Sequence, residues 1–152
     1  MAGNKSNYLA KKLLDHVLGG ATGPGSAPYT APSLTYLGLW TSTLDDSSTG
    51  DSAGEVSGGS YARTSQVDVG GKNNDPTLWP TATGAAVGTK SNGIPITFPT
   101  ASASWGTITH FAICDALTSG NILYWGALTT SKVIDSGDTA SFSAGALVVT
   151  ED

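Results

Sequence analysis

His110, Cys114 and Asp115 place a base, a nucleophile and a carboxylate close together in FPTASASWGTITHFAICDA, residues 98–116. Brought within hydrogen-bond reach, those three types make a cysteine-nucleophile site, and His with Cys also binds zinc. The spacing decides against both. The stretch reads as a β-strand, so His110 and Cys114 share a face but lie roughly 13 Å apart at about 3.3 Å per residue. A nucleophile and its base must approach to about 3 Å, and zinc ligands sit about 2.3 Å from a shared ion. Asp115 falls on the opposite face, where the strand meets a turn that favours Asp. The expectation is a buried, unreactive Cys114, a packed or interface His110, and no catalysis.

Three other stretches invite chemistry. GAAVGTKS, residues 84–91, nearly matches a phosphate-binding loop, but Thr89 replaces its second glycine and Asn92-Gly93-Ile94-Pro95 follows where a helix must begin. DDSSTGDSAGE, residues 45–55, offers oxygen ligands at alternate positions, yet Val56 rather than a glutamate stands twelfth. It reads as a solvated turn region, with a loose calcium site left open. Gly58-Gly59-Ser60-Tyr61-Ala62 falls short of a nucleophile elbow at Ala62. No carboxylate pair stands out for acid–base work. The expectation is a protein that is not an enzyme, with no cofactor and no metal.

The elements that would hold these residues are mostly strands. Residues 6–18, SNYLAKKLLDHVL, form the one expected helix, with Ser6 or Asn7 as cap and Gly19-Gly20 as stop. Leu9, Leu13 and Val17, joined by Leu14 and Leu18, make an apolar stripe. So short a helix is marginal alone, so the stripe must pack, either on its own domain or on a neighbour. GGATGPGSAPYTAP, residues 19–32, reads as a linker or arm. Beyond it, strands are expected near 33–42, 59–69, 93–99, 104–114 and 121–131, then at TASF and GALVVT. The predicted fold is mainly β: an antiparallel, jelly-roll-like β-sandwich with one N-terminal amphipathic helix on a Gly/Pro-rich arm. The domain reading is residues 1–20 for the helix, 21–32 for the arm and 33–152 for the sandwich. Removing residues 1–20 is expected to leave the sandwich folded.

Composition narrows the function. The 152 residues are only 12% charged and include 20 glycines, with a net charge of −5. No basic stripe is present to bind nucleic acid, and no apolar run approaches the ~18 residues of a membrane span. The start of the chain lacks the apolar core of a secretory signal, and one cysteine cannot form an internal disulfide. The four tryptophans, Trp40, Trp79, Trp105 and Trp125, are the type that interfaces favour. Strands 104–114 and 121–131 carry apolar residues on both faces, which suggests burial between a sheet and a neighbouring subunit. A homo-oligomer is expected, with a trimer favoured.

Several segments together resemble a group of small tailed-bacteriophage virion proteins, described variously as tail fibre, minor structural or head decoration proteins. They are SNYLAKKLLDHVLGG (6–20), TYLGLWTS (35–42), EVSGGSYAR (55–63), ITFPTASASWGTITHFAICDA (96–116), NILYWGALTTSKVIDSGD (121–138) and FSAGAL (142–147). The resemblance implies a virion component, made in the host cytoplasm. The first reading is a capsid decoration or cement protein docked on the major capsid protein shell. The alternative is a tail fibre, spike or adaptor that serves host attachment and binds a tail component. The residues expected to make contacts are Leu9, Leu13, Leu14, Val17, Trp105 and Trp125. Arg63, after the SGGSYA turn, is expected to form a structural salt bridge.

Overall fold

The computed structural model describes residues 2–18, 29–65, 79–83 and 88–151. Nine strands and one helix follow in chain order: β1 (Ala2–Lys5), α1 (Asn7–Leu18), β2 (Tyr36–Trp40), β3 (Thr64–Ser65), β4 (Gly88–Ser91), β5 (Ile96–Thr100), β6 (Gly106–Cys114), β7 (Ile122–Ile134), β8 (Thr139–Phe142) and β9 (Val148–Glu151). Seven strands form one sheet in the order β3-β2-β6-β7-β1-β9-β4, and β5 pairs with β8 in a second, two-stranded sheet. The pairings are antiparallel except for β1 with β9. Among the described residues the protein is therefore mainly β, with antiparallel sheets and a single short helix near its start.

Alternation along the strands builds two apolar layers. Leu37, Leu39, Phe111 and Ile113 face the β5–β8 sheet and join Ile96, Phe98 and Phe142 in the larger core. Aromatic rings interlock there: Phe111 meets Phe142 at 6.1 Å, and Tyr61 meets Trp105 edge-on at 5.3 Å between centroids. Trp40, Ala112, Cys114 and Ile122 point to the opposite face and pack with Leu44. That second face is covered by the chain's own loop, where Trp40 Nε1 donates to Ser52 O at 3.2 Å. The two-sided apolarity of β6 thus has a source within one chain and needs no neighbouring subunit.

The Gly58-Gly59-Ser60 turn explains its composition. All three residues take positive φ, at 72°, 54° and 62°, a region costly for most side chains. A Cβ on Gly59 would stand 3.0 Å from Trp105 Nε1, which donates to Gly59 O at 2.9 Å. The turn seats Trp105 in the core.

Two strands were not anticipated. β1 lies ahead of the helix and pairs Asn4 with Trp125 and Lys5 with Tyr124 on β7, and Ala2 with Val148 and Gly3 with Val149 on β9. Deleting residues 1–20 would remove a central strand, which corrects the expectation that the sandwich folds without them. β4 falls outside the expected strands and pairs with β9 from Gly88↔Glu151 to Ser91↔Val148. The strand expected at 59–69 is paired only at Thr64–Ser65, and its residues 66–69 lie outside the described residues.

Candidate interaction surface

The three residues with catalytic types serve separate structural ends. His110 sits opposite Trp40 on β2 and Ala127 on β7. Its Nδ1 lies 2.9 Å from Thr109 Oγ1, and burial lowers its pKa. Cys114 is fully buried, and burial pushes its thiol up to about 12, so it stays protonated and unreactive at neutral pH. Asp115 closes the β6–β7 turn by accepting from Asn121 N at 2.7 Å and Asn121 Nδ2 at 2.8 Å.

The two carboxylates at the start of the 45–55 loop are also engaged. Asp45 Oδ1 accepts from Ser47 N, Ser47 Oγ and Ser48 Oγ, and these bonds, led by the Ser47 hydroxyl, lower its pKa. Asp46 Oδ1 accepts from Trp125 Nε1 at 3.1 Å. Among the described residues no cluster of three His, Cys, Asp or Glu side chains is placed to hold a metal. In the near-phosphate loop, residues 84–87 lie outside the described residues, and Gly88–Ser91 continue as strand rather than helix.

Arg63 is the most heavily bonded polar side chain in this region. Nε and Nη2 grip the two oxygens of Glu55 at 2.6 and 2.7 Å. The remaining donors reach Gly50 O, Ala116 O and Ser119 O at 2.8 to 2.9 Å, and the guanidinium lies 5.5 Å from the Trp40 ring centroid. Burial is the largest influence and opposes the charge, but the Glu55 hydrogen bonds together with the electrostatic attraction of Glu55 and neighbouring ionisable groups outweigh it, and the pKa is raised. Arg63 therefore ties the 50–55 loop to the β6–β7 turn. The tie demands glycine at Gly50, where a Cβ would stand 1.9 Å from Ser119 O. The sequence carried the signal for its partner: Glu55 and Arg63 flank the double-glycine turn in EVSGGSYAR.

The expected contact residues divide sharply. Trp105 is only 4% exposed and Leu9 only 3%, so both belong to the interior of this chain. That corrects their place among contact residues, because neither can reach a partner without unfolding. Trp125 is half-buried beside His110, with ring centroids 6.2 Å apart. The helix is locked at its start by Ser6, which is fully buried. Ser6 Oγ caps Leu9 N at 3.2 Å and donates to Ile122 O, while Ser6 N donates to Leu123 O at 3.0 Å. Asn7 N adds a bond to Asp46 O at 2.7 Å. Beyond Leu13 the cover thins. Leu13 is half-buried, whereas Leu14, Val17 and Leu18 are 59%, 74% and 77% exposed. These three side chains form an apolar face on a helix whose other end is fixed.

The family model described as Podophage GP4 fiber I protein gp80 matches residues 4–150. The chain belongs to this family. No curated protein matches it. The match takes in the helix, the Arg63–Glu55 tie and both sheets apart from Ala2, Gly3 and Glu151 at their ends. A family of phage fibre structural proteins identifies a bacteriophage virion component. It also points away from enzymatic chemistry, in keeping with the structural uses of His110, Cys114 and Asp115.

Proposed function

We propose that the chain is a tail-fibre or fibre-adaptor component that attaches to a neighbouring virion protein through the outer face of α1. The observation that carries this reading is the exposed Leu14, Val17 and Leu18 on a helix pinned by Ser6 and Leu9, in a chain of the fibre family. Three large apolar side chains held in water on one rigid face lose free energy of hydration that a docked partner would recover, at roughly 25 cal/mol per Å² covered. In this reading residues 1–20 present the contact face, residues 21–32 connect it, and residues 33–152 form the body. Leu13, Leu14 and Val17 keep their place as contact residues, Leu18 joins them, and the half-buried Trp125 is a secondary contact. The partner is a tail component, and the assembly is a homo-oligomer, with a trimer favoured.

The competing reading is a decoration protein docked on the major capsid protein. Copy number separates the two. Quantitative mass spectrometry of purified particles should find this chain at a small fraction of the shell protein. A copy number equal to that of the shell protein would replace the fibre reading with decoration. Leu14→Ser, Val17→Ser and Leu18→Ser combined should leave the fold intact and deplete the chain from particles. Undiminished incorporation of that variant would remove α1 as the contact.

A further inference from the structure

Within the seven-stranded sheet, β1 is the single link between the β3-β2-β6-β7 strands and the β9-β4 strands. Its last two residues, Asn4 and Lys5, pair with β7, and its first two, Ala2 and Gly3, pair with β9. Without it the sheet parts into two pieces, each ending on an unpaired edge of the kind that captures another strand. The remaining hold on the slot is local: Lys5 pairs with Glu151, Ser6 bonds Ile122 and Leu123 backbone oxygens, and Leu9 is buried. Tyr124 OH completes the lock by donating to Glu151 Oε1 at 2.6 Å.

The covalent route from this unit to the rest of the sheet runs through GGATGPGSAPYTAP, residues 19–32, with four glycines and three prolines. The eleven Cα steps from Leu18 to Tyr29 span up to about 36–40 Å, on the order of the width of a domain this size. None of the contacts that seat β1 depends on which copy supplies it.

We propose that β1 and the first turn of α1 exchange between copies, so that the β7–β9 slot of one chain is filled by Ala2–Lys5 of a second chain. The exchanged and unexchanged forms make the same contacts, which is what makes such swapping a low-cost route to assembly. A chain's own arm competes through its tether, at an effective concentration in the mM range. Copies held side by side in a particle meet at comparable local concentration, and the advantage of the tether disappears. Leu14, Val17 and Leu18 travel with the arm and stay exposed for the docking proposed above. This inference does not depend on whether the particle position is head or tail.

The test uses the full, unmodified chain. Unlabelled and ¹⁵N-labelled copies are mixed, unfolded, refolded together at a chain concentration matching the mM range of the tether and treated with a carbodiimide, which joins the Lys5 amine to the Glu151 carboxylate as an amide with loss of water. Exchange predicts Lys5–Glu151 cross-linked peptides of mixed label, up to about half of that product for random pairing. The Lys11–Asp15 product, one helical turn apart in the same copy, serves as the same-label control. Lys5–Glu151 peptides of uniform label only, or the absence of that product, would overturn the proposal.

Discussion

Strand β6 and helix α1 are both rich in apolar side chains, and the molecule uses them in opposite ways. In β6, five consecutive residues from His110 to Cys114 are buried because each face meets its own cover, the β5–β8 sheet on one side and the 41–55 loop on the other. In α1 the cover runs out past Leu13, and Leu14, Val17 and Leu18 stand in water. An apolar residue in β6 is thus committed to the fold, whereas one in the last turns of α1 is available to a partner. The contrast also bears on the charge state of His110 and Cys114. A histidine and a thiol enclosed by apolar neighbours are held in their neutral forms.

The strongest way to break the committed side is Arg63→Ala. It leaves Glu55 without its bidentate partner and releases two loops, and should cost about 3–5 kcal/mol, the scale for breaking a buried pair. Urea unfolding would show it, and a loss under about 1 kcal/mol would mean that water replaces the guanidinium. Phe111→Ala probes the same side and should cost about 3–5 kcal/mol through a cavity between the layers. Ser6→Ala strikes the boundary between the regions. Loss of the cap should cost about 1 kcal/mol and raise amide exchange in α1 and β1, whereas protection unchanged in both would show that Leu9 alone holds the helix.

His110 sharpens the comparison through pH. Its folded pKa lies below its unfolded value, so the unfolded chain binds the proton more readily. Stability from this group is fully present above the unfolded pKa of about 6.5 and is lost as pH falls through the folded pKa. Thermal melts between pH 8 and 5 should show that decline, and His110→Phe should flatten it. A variant with the same slope as the parent would assign the effect to another group. The smallest effect belongs to the available side: Leu14→Ser and Val17→Ser should each change stability by no more than about 0.5 kcal/mol. A larger loss in the isolated chain would mean that this face is already covered by the chain's own residues or by another copy.

Much of this was legible in local sequence. The helix, its Ser6 cap, the β6–β7 hairpin and β8 follow from periodicity and turn chemistry, because those signals act over a few residues. The unreactive geometry of His110 and Cys114 followed from strand spacing alone. β1 and β4 were not legible: AGNK and GTKS have no apolar alternation, and they become strands because β7 and β9 offer β1, and β9 offers β4, backbone partners. Trp105 could not be assigned from its type, since a tryptophan is equally at home in an interface or beneath a glycine turn. The apolar content of β6, the stripe of α1 and the Glu55–Arg63 spacing were all written in the chain. Which face each would bury, how far along α1 the anchoring would run, and that the first residues would complete a sheet built 120 positions later depended on long-range pairing, whose partners no local pattern specifies.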